Sequence, residues 1–272
     1  MRPARQMKKI CVRGTLILGV LAAALWAGGG AGPGGAEWDS RCIPDDTVMT
    51  AAPVSGEESP KRVFLTFDDG PSATTEEVLD ILKEEGVPAT FFVVAAENNE
   101  KYLPLLERTM AEGHQIALHS CSHEYNRIYQ SPEAFWKDIK ELKEKLSPYL
   151  DPATLTWLRF PGGSTNTVSR KYGGSGIMKT LKSQAEQAGY RYVDWNVCAE
   201  DAAGGRPGPE EIFRNVVGDV GEKRTCVVLM HDTKATASTA RALPEIIRWF
   251  REEGFEFCVV AQLEEGTPCE RE

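Results

Sequence analysis

The sequence predicts an α/β protein built as a TIM-like (β/α) barrel that has seven strands and is incomplete. Short apolar runs that end in turn residues alternate with amphipathic segments at intervals of roughly thirty residues, the pattern of successive βαβ units in a parallel sheet. Seven such units fit a barrel better than an open sheet. Polar side chains also follow several predicted strands directly, and in a barrel all such strand ends lie on one face.

The first strand is the apolar run Val63–Phe67, which leads into two adjacent carboxylates, Asp68 and Asp69. Gly70 and Pro71 then end the strand in a turn. Neighbouring carboxylates repel each other, and a metal ion or a shared proton would remove that cost. Taken alone, the stretch favours an ordinary turn in which an Asp side chain hydrogen-bonds its own backbone. The later strands change that interpretation.

Six more strands and six helices follow, and three of the helices have recognisable ends. Thr74 and Glu77 predict a capping box for the first helix, and Gly113 predicts the C-cap of the second. Ser131 followed by Pro132 predicts the start of the third. The predicted strands after the first are Ala89–Val94, Gln115–Leu118, Leu155–Phe160, Tyr190–Val197, Thr225–Met230 and Phe255–Val260. The predicted helices are Thr74–Glu85, Tyr102–Glu112, Pro132–Leu146, Ile177–Ala188, Pro209–Val220 and Ser238–Glu253.

The N-terminal segment differs from the rest in composition. Residues 1–36 place five cations before a short apolar run and a Gly- and Ala-rich tract, which predicts a signal peptide or an N-terminal membrane anchor. The protein is therefore expected to be secreted or extracytoplasmic, held at the cell surface if the segment is not cleaved. Residues 37–61 are rich in Pro, Ser, Gly and acidic side chains and are interpreted as a linker to a single domain, residues 62–272.

Charge and cysteine content limit the function further. The net charge is -9, with no basic block after the first residues, which argues against a nucleic-acid partner. Six cysteines follow the N-terminal segment, and an exported protein can join them in any of fifteen pairings. Cys226 and Cys258 lie in apolar strand-like runs, where a buried thiol is the simplest interpretation.

A pair of histidines follows the third predicted strand. His119 and His123, in HSCSH, are four residues apart and can reach one ion from a single helical turn. The alternative is two solvated or capping histidines. On a barrel, this pair and the carboxylates Asp68 and Asp69 would share one face. Two histidines with one carboxylate form a three-ligand set that suits a catalytic metal with open positions.

Three more polar residues occur at or just after predicted strands. Arg159 ends the fourth strand, Asp201 follows the fifth, and His231 ends the sixth. Each residue alone is weak evidence for a catalytic role. A lone histidine after an apolar run, for example, is more often structural. The alternative for Asp201 is that it merely caps the loop near Ala202, because Asp is a common turn residue. Together they add a cation, an acid and a base to the face that carries the predicted metal ligands.

These motifs resemble those of the polysaccharide deacetylases of the NodB-homology type, carbohydrate esterase family four. The resemblance covers roughly residues 61–263. The five matching motifs, in order, are TFDDGP at Thr66–Pro71, HSCSH at His119–His123, RFPGG at Arg159–Gly163, the stretch through Asp201, and LMH at Leu229–His231. The resemblance implies a catalytic domain at residues 62–272 that hydrolyses N-acetyl groups of an N-acetylated glycan, peptidoglycan or chitin-like, and releases acetate.

The resemblance also implies a role for each motif residue. Asp69, His119 and His123 would bind one divalent metal ion, zinc, and Asp68 would be the general base. Arg159 would hold Asp68 in place.

His231 would be the general acid, and Asp201 would keep it protonated. Leu229 would line the pocket for the acetyl methyl group, and a backbone N–H near Gly162 would face the oxyanion.

Two motifs depart from the family pattern. Cys198 and Ala202 replace an Asp and a Trp of the fourth motif, and Gly162 stands where the third motif often has an aromatic residue. Both changes remove side chains that would border the substrate. Two alternatives therefore stay open: a non-catalytic glycan-binding surface protein on the same fold, and a hydrolase of a small amide or an O-acetyl ester.

Overall fold

The structure is a computed structural model and describes residues 60–263. The strands are β1 Arg62–Asp68, β2 Thr90–Val94, β3 Gln115–Ser120, β4 Trp157–Leu158, β5 Arg191–Tyr192, β6 Val197–Cys198, β7 Thr225–His231 and β8 Glu256–Phe257. The helices are α1 Ala73–Glu85, α2 Glu97–Glu100, α3 Leu105–Ala111, α4 Tyr125–Ile128, α5 Pro132–Leu146, α6 Arg170–Gly173, α7 Ile177–Gln187, α8 Pro209–Val220 and α9 Ala237–Glu252.

The strands form one parallel sheet that curls into an incomplete barrel, which confirms the predicted fold. Its order is β5-β4-β3-β2-β1-β7-β6, and β8 pairs with the start of β1. The fifth predicted strand, Tyr190–Val197, is divided, because β5 pairs with β4 whereas β6 pairs with β7 at the other end of the sheet. The chain between β5 and β6 therefore crosses the gap between the two ends of the sheet.

Alternation along the central strands decides which side chains face the barrel interior. Val63 and Leu65 of β1 pack in the core with residues of α1, α8 and α9, whereas Phe64 belongs to an interior cluster with Phe92 and Leu229. Successive side chains of a strand point to opposite faces. The interior set of β1 therefore continues to Asp68, and the interior set of β7 continues from Leu229 to the strand end at His231.

The helix ends agree with the sequence at α5 and differ at α1. Ser131 caps α5, with Pro132 in its first turn, as predicted. The capping box of α1 is Ser72 with Thr75, because the Ser72 hydroxyl accepts from the Thr74 N–H and Thr75 Oγ1 accepts from the Ser72 N–H. The prediction of a box between Thr74 and Glu77 is wrong.

Three expectations about the rest of the chain have different outcomes. Cys258 is disulfide-bonded, so the interpretation of a buried thiol is wrong at that position. The predicted signal or anchor and nearly all of the predicted linker lie outside the described residues. Within residues 60–263, no helix combines the length and the hydropathy that a membrane crossing needs.

Candidate active site

The two adjacent carboxylates are separated by a sharp change in backbone direction. Asp68 ends β1, and Asp69 has a φ of +71°, in the left-handed region that Asp tolerates better than most residues. The Asp69 N–H donates to the Phe92 carbonyl over 3.2 Å. The Asn99 amide donates to the carbonyls of Asp69 at 2.9 Å and Pro71 at 3.1 Å. Nothing in the sequence marks Asn99 as a support for this turn.

Asp69, His119 and His123 form the candidate metal centre. Their ligand atoms all lie within 4.8 Å of one another. Asp69 Oδ1 is 3.4 Å from His119 Nε2 and 3.2 Å from His123 Nε2. Burial would raise the pKa of the Asp69 carboxyl, but His123 and His119 hold that pKa well below its usual range.

The donor set fits a divalent cation. His119 Nδ1 lies 2.7 Å from the carbonyl of Arg159 and donates to it, which leaves Nε2 as the electron-pair donor. Among the described residues, the buried Asp69 Oδ1 has no hydrogen-bond partner. An unsatisfied buried carboxylate oxygen is costly, and a cation shared with the two imidazoles would remove that cost. These three residues would hold the metal.

Asp68 is fixed by a buried arginine. Arg159 donates from Nη1 to Asp68 Oδ1 at 2.8 Å and to Thr66 Oγ1 at 2.7 Å. Its Nε and Nη2 donate to the carbonyls of Val193 and Asp194, both at 3.1 Å. The arginine is fully buried and Asp68 is 3% exposed. Because the guanidinium is held on several sides, it holds one carboxylate oxygen of Asp68 in a fixed position.

His231 is paired with Asp201. His231 Nδ1 is 2.8 Å from Asp201 Oδ1, and the His231 N–H donates to Asp201 Oδ2 over 2.7 Å. The Thr239 hydroxyl also donates to Asp201 Oδ2 at 2.7 Å. Burial works to lower the pKa of His231, but the Asp201 carboxylate outweighs it and raises the pKa to about 10. His231 is therefore held as an imidazolium.

The parallel pairing of β1 and β7 brings the polar ends of these two strands together. Asp68 of β1 is paired in register with His231 of β7. One residue further on, the Asp232 side chain packs so close to Gly70 that any Cβ at position 70 would collide with its carboxylate. Thr75 donates a hydrogen bond to Asp232 Oδ2 at 2.5 Å, and burial raises the pKa of Asp232 to about 7. The two strand ends are thus in direct contact below the site.

Gly162 lies in the loop after β4, and Leu229 lies on β7. Gly162 has a φ of +77°, and the hydroxyl of Tyr125 is 2.6 Å from where its Cβ would lie. The Tyr125 ring also contacts the ring of His123 edge-on, with centroids 5.7 Å apart. Leu229 precedes His231 by two residues and belongs to the barrel interior. The sequence did not single out Tyr125, which occupies part of the space that an aromatic residue at position 162 would need.

His114 and Cys121 lie outside the candidate metal cluster. His114 precedes β3, at the opposite end of that strand from His119, and its Nδ1 accepts from the Ala89 N–H at 3.2 Å. Burial lowers the pKa of His114 to about 4. Cys121 directs its thiol toward the carbonyl of Ala95 at 3.9 Å. His114 therefore has a structural role, and Cys121 lies as a spacer between the two histidines of the candidate metal centre.

A barrel that places ionisable side chains such as Asp68 and His231 beside a candidate metal centre is typical of a hydrolase. The family model described as polysaccharide deacetylase matches residues 55–193, just over half of the 272 residues. The chain belongs to the polysaccharide deacetylase family and is a hydrolase acting on carbon–nitrogen bonds other than peptide bonds.

Similar proteins agree with this assignment. The chain is 31% identical over 210 residues to a peptidoglycan-N-acetylglucosamine deacetylase of Bacillus cereus, covering 75% of this chain and 88% of that protein. It is 31% identical over 173 residues to a chitooligosaccharide deacetylase of Rhizobium leguminosarum bv. trifolii, covering 63% and 72%. The catalytic domain of a peptidoglycan N-acetylglucosamine deacetylase from Eubacterium rectale superposes with a TM-score of 0.70 at 33% identity, covering 84% of this chain and 98% of that one.

Proposed function

We propose that the protein is an extracytoplasmic, metal-dependent deacetylase that removes N-acetyl groups from cell-wall polysaccharide and releases acetate. The observation that carries the proposal is the cluster of Asp69, His119 and His123 beside Asp68 and His231. A glycan-binding protein needs neither a fixed carboxylate base nor a histidine held protonated. Amide hydrolysis needs both.

Zinc is the proposed metal, since two imidazole nitrogens and one carboxylate oxygen are a usual zinc donor set. Once bound, the ion would make water a stronger nucleophile at neutral pH and would polarise the acetyl carbonyl.

Asp68 is the proposed general base. Arg159 occupies its Oδ1 at 2.8 Å, and Oδ2 is the oxygen directed toward the candidate metal centre, 3.9 Å from His119 Nε2. This oxygen would accept a proton as water attacks the acetyl carbon. The N–H of Gly162 would donate a hydrogen bond to the developing oxyanion. Arg159 acts through Asp68, because it keeps the basic oxygen from rotating away.

His231 is the proposed general acid. Its Nδ1–H is donated to Asp201, so its other proton is on Nε2 and can pass to the amine nitrogen as the carbon–nitrogen bond breaks. The products are acetate and a free amino sugar. Leu229, on the same face of β7 as His231, would line the pocket for the acetyl methyl group.

The substrate class comes from the relatives. The names of the similar proteins specify peptidoglycan and chitooligosaccharide as substrates. We propose an N-acetylated glycan of the peptidoglycan type first and of the chitin type second. A cell-wall substrate agrees with the export that the N-terminal residues predict, either as a secreted protein or with the N-terminal segment as a membrane anchor.

One panel of substrates tests the proposal. Acetate release by the zinc-loaded protein is measured on peptidoglycan fragments, N-acetylated chitooligosaccharides, O-acetylated glycans and small N-acetyl amides. We expect release from an N-acetylated glycan that is lost when the metal is removed with a chelator and restored when zinc is added. Release from small amides or O-acetyl esters alone would contradict the proposed substrate, and no release from any of them would contradict the activity.

A further inference from the structure

A carboxylate outside the site holds the loop between the two metal-binding histidines. Asp138 of α5 is 2% exposed. Its Oδ2 accepts from Ser120 Oγ at 2.6 Å and from the Cys121 N–H at 2.7 Å. Its Oδ1 accepts from the Ser122 N–H at 3.0 Å and from Ser122 Oγ at 2.7 Å. One buried side chain on a helix therefore accepts four hydrogen bonds from three consecutive residues, the last residue of β3 and the first two of the loop that follows it.

These hydrogen bonds continue to the second histidine. Ser120 Oγ, which donates to Asp138, accepts a hydrogen bond from the backbone N–H of His123 at 2.9 Å. His123 has a φ of +56°, a left-handed conformation that is costly for a residue with a side chain. Such a conformation persists only where surrounding bonds fix it. Asp138 and Ser120 supply those bonds.

We infer that Asp138 is a positioning residue of the metal centre. Its four hydrogen bonds go to Ser120, Cys121 and Ser122, and it acts by holding the HSCSH loop so that His123 Nε2 stays near Asp69 Oδ1. Hydrogen bonds to a carboxylate are stronger than bonds between neutral groups, and four of them define the loop's position. The inference rests on the proposed function, because it concerns the metal that the proposed reaction uses.

The test is zinc affinity of the full chain, measured by competition with a chromophoric chelator. Asp138→Asn should bind zinc about 10- to 100-fold more weakly, the usual cost of losing an outer partner of a metal ligand. The matched control is Asp194→Asn. Asp194 is equally buried and accepts from the Ser164 N–H at 2.7 Å and from Ser164 Oγ at 2.5 Å, in a loop without metal ligands. Both variants should unfold more easily, but only Asp138→Asn should lose zinc affinity.

A second variant keeps the inference testable if Asp138→Asn does not fold. Ser122→Ala removes one of the four hydrogen bonds and should weaken zinc binding in the same direction by a smaller factor. The absorption spectrum of the cobalt-substituted protein should change in these variants and stay unchanged in Asp194→Asn. Wild-type zinc affinity and an unchanged cobalt spectrum in a folded Asp138→Asn or in Ser122→Ala would overturn the inference and leave the proposed function standing. A wild-type protein that binds no divalent ion would overturn both.

Discussion

The site has two halves that are stabilised in different ways. The candidate metal centre of Asp69, His119 and His123 is the metal-binding half, and the proposed proton-transfer half consists of Asp68, Arg159, Asp201 and His231. In the first half, the donor atoms converge on one another, and Asp69 Oδ1 makes no hydrogen bond within the described part of the chain. In the second half, Asp68 and His231 each have a partner of opposite charge at 2.8 Å.

This difference shows which half of the site needs an added ligand to balance its charge. The ion pairs of the proton-transfer half satisfy their charges without any added ligand. The metal-binding half brings its donor atoms together at the cost of left-handed backbone at both Asp69 and His123, and it needs a cation to balance its carboxylate. We therefore expect mutations in the metal-binding half to abolish binding of the metal ion. Mutations in the proton-transfer half should change rates and pH dependence while the metal stays bound.

The largest effect is expected from removing a metal ligand. His119→Ala should lack the roughly one divalent ion per chain that we expect in the wild type, and should lose activity with it, because two ligands bind zinc far more weakly than three. His114→Ala is the matched control, since His114 is also a buried histidine but contacts the backbone at Ala89. Metal analysis of both purified variants checks this. Equal metal content in the two variants would remove His119 from the centre.

The general base should give the next largest effect. Asp68→Asn should keep its metal yet lose turnover by about 10²- to 10⁴-fold, because an amide cannot accept the proton from water. The difference between the two halves is supported only if retained metal and lost turnover are both observed in this variant. Turnover and metal content are therefore measured on one preparation, with a substrate identified by the panel. Near-normal turnover in the metal-loaded variant would exclude Asp68 as the base.

The smallest effect is a shift in pH dependence. Asp201→Asn should move the alkaline limb of turnover to lower pH by about one to three units, because the carboxylate raises the pKa of His231 to about 10. The acid limb, set by the base, should stay nearly in place. If Asp201 only caps the loop near Ala202, the variant loses stability but keeps the wild-type profile. An unmoved alkaline limb in a folded variant would exclude Asp201 from the proton-transfer half.

Stability provides a control for the same variant. A pKa raised in the folded state stabilises the protein below the ordinary value of 6.5, and this contribution is lost as the pH rises through about 10. Asp201→Asn should therefore lower the free energy of unfolding at neutral pH more than at pH values above 10. Denaturant unfolding at several pH values measures this difference.

The parts that could be predicted from the sequence depend on local signals. Strands with apolar runs and polar ends were recognisable, and β1, β3 and β7 carry Asp68, His119 and His231 at or near the positions that their patterns indicate. The supports of the site were not recognisable. Asp138 contacts Ser120 across 18 residues from a helix whose pattern predicts only packing, and Tyr125 approaches Gly162 from a short helix. These contacts depend on how the loops fold, which alternation and spacing do not encode.

The start of α1 could not be predicted from the local sequence for the same reason. The sequence rule for a capping box indicates Thr74 with Glu77 three residues later, whereas the helix is capped by Ser72. The Ser72 hydroxyl also donates to the carbonyl of Asp232 at 2.6 Å, across 160 residues. A tertiary contact therefore fixes where this helix begins.

The contact between Gly70 and Asp232 has a consequence for how sequences of this type diverge. Because a Cβ at position 70 would occupy the space of the Asp232 carboxylate, alanine at position 70 is acceptable only where position 232 carries a smaller side chain. The two positions should therefore vary as a pair among related chains, although they are 162 residues apart. A chain that keeps Asp232 and carries any side chain at position 70 would have to separate β1 from β7 next to Asp68 and His231.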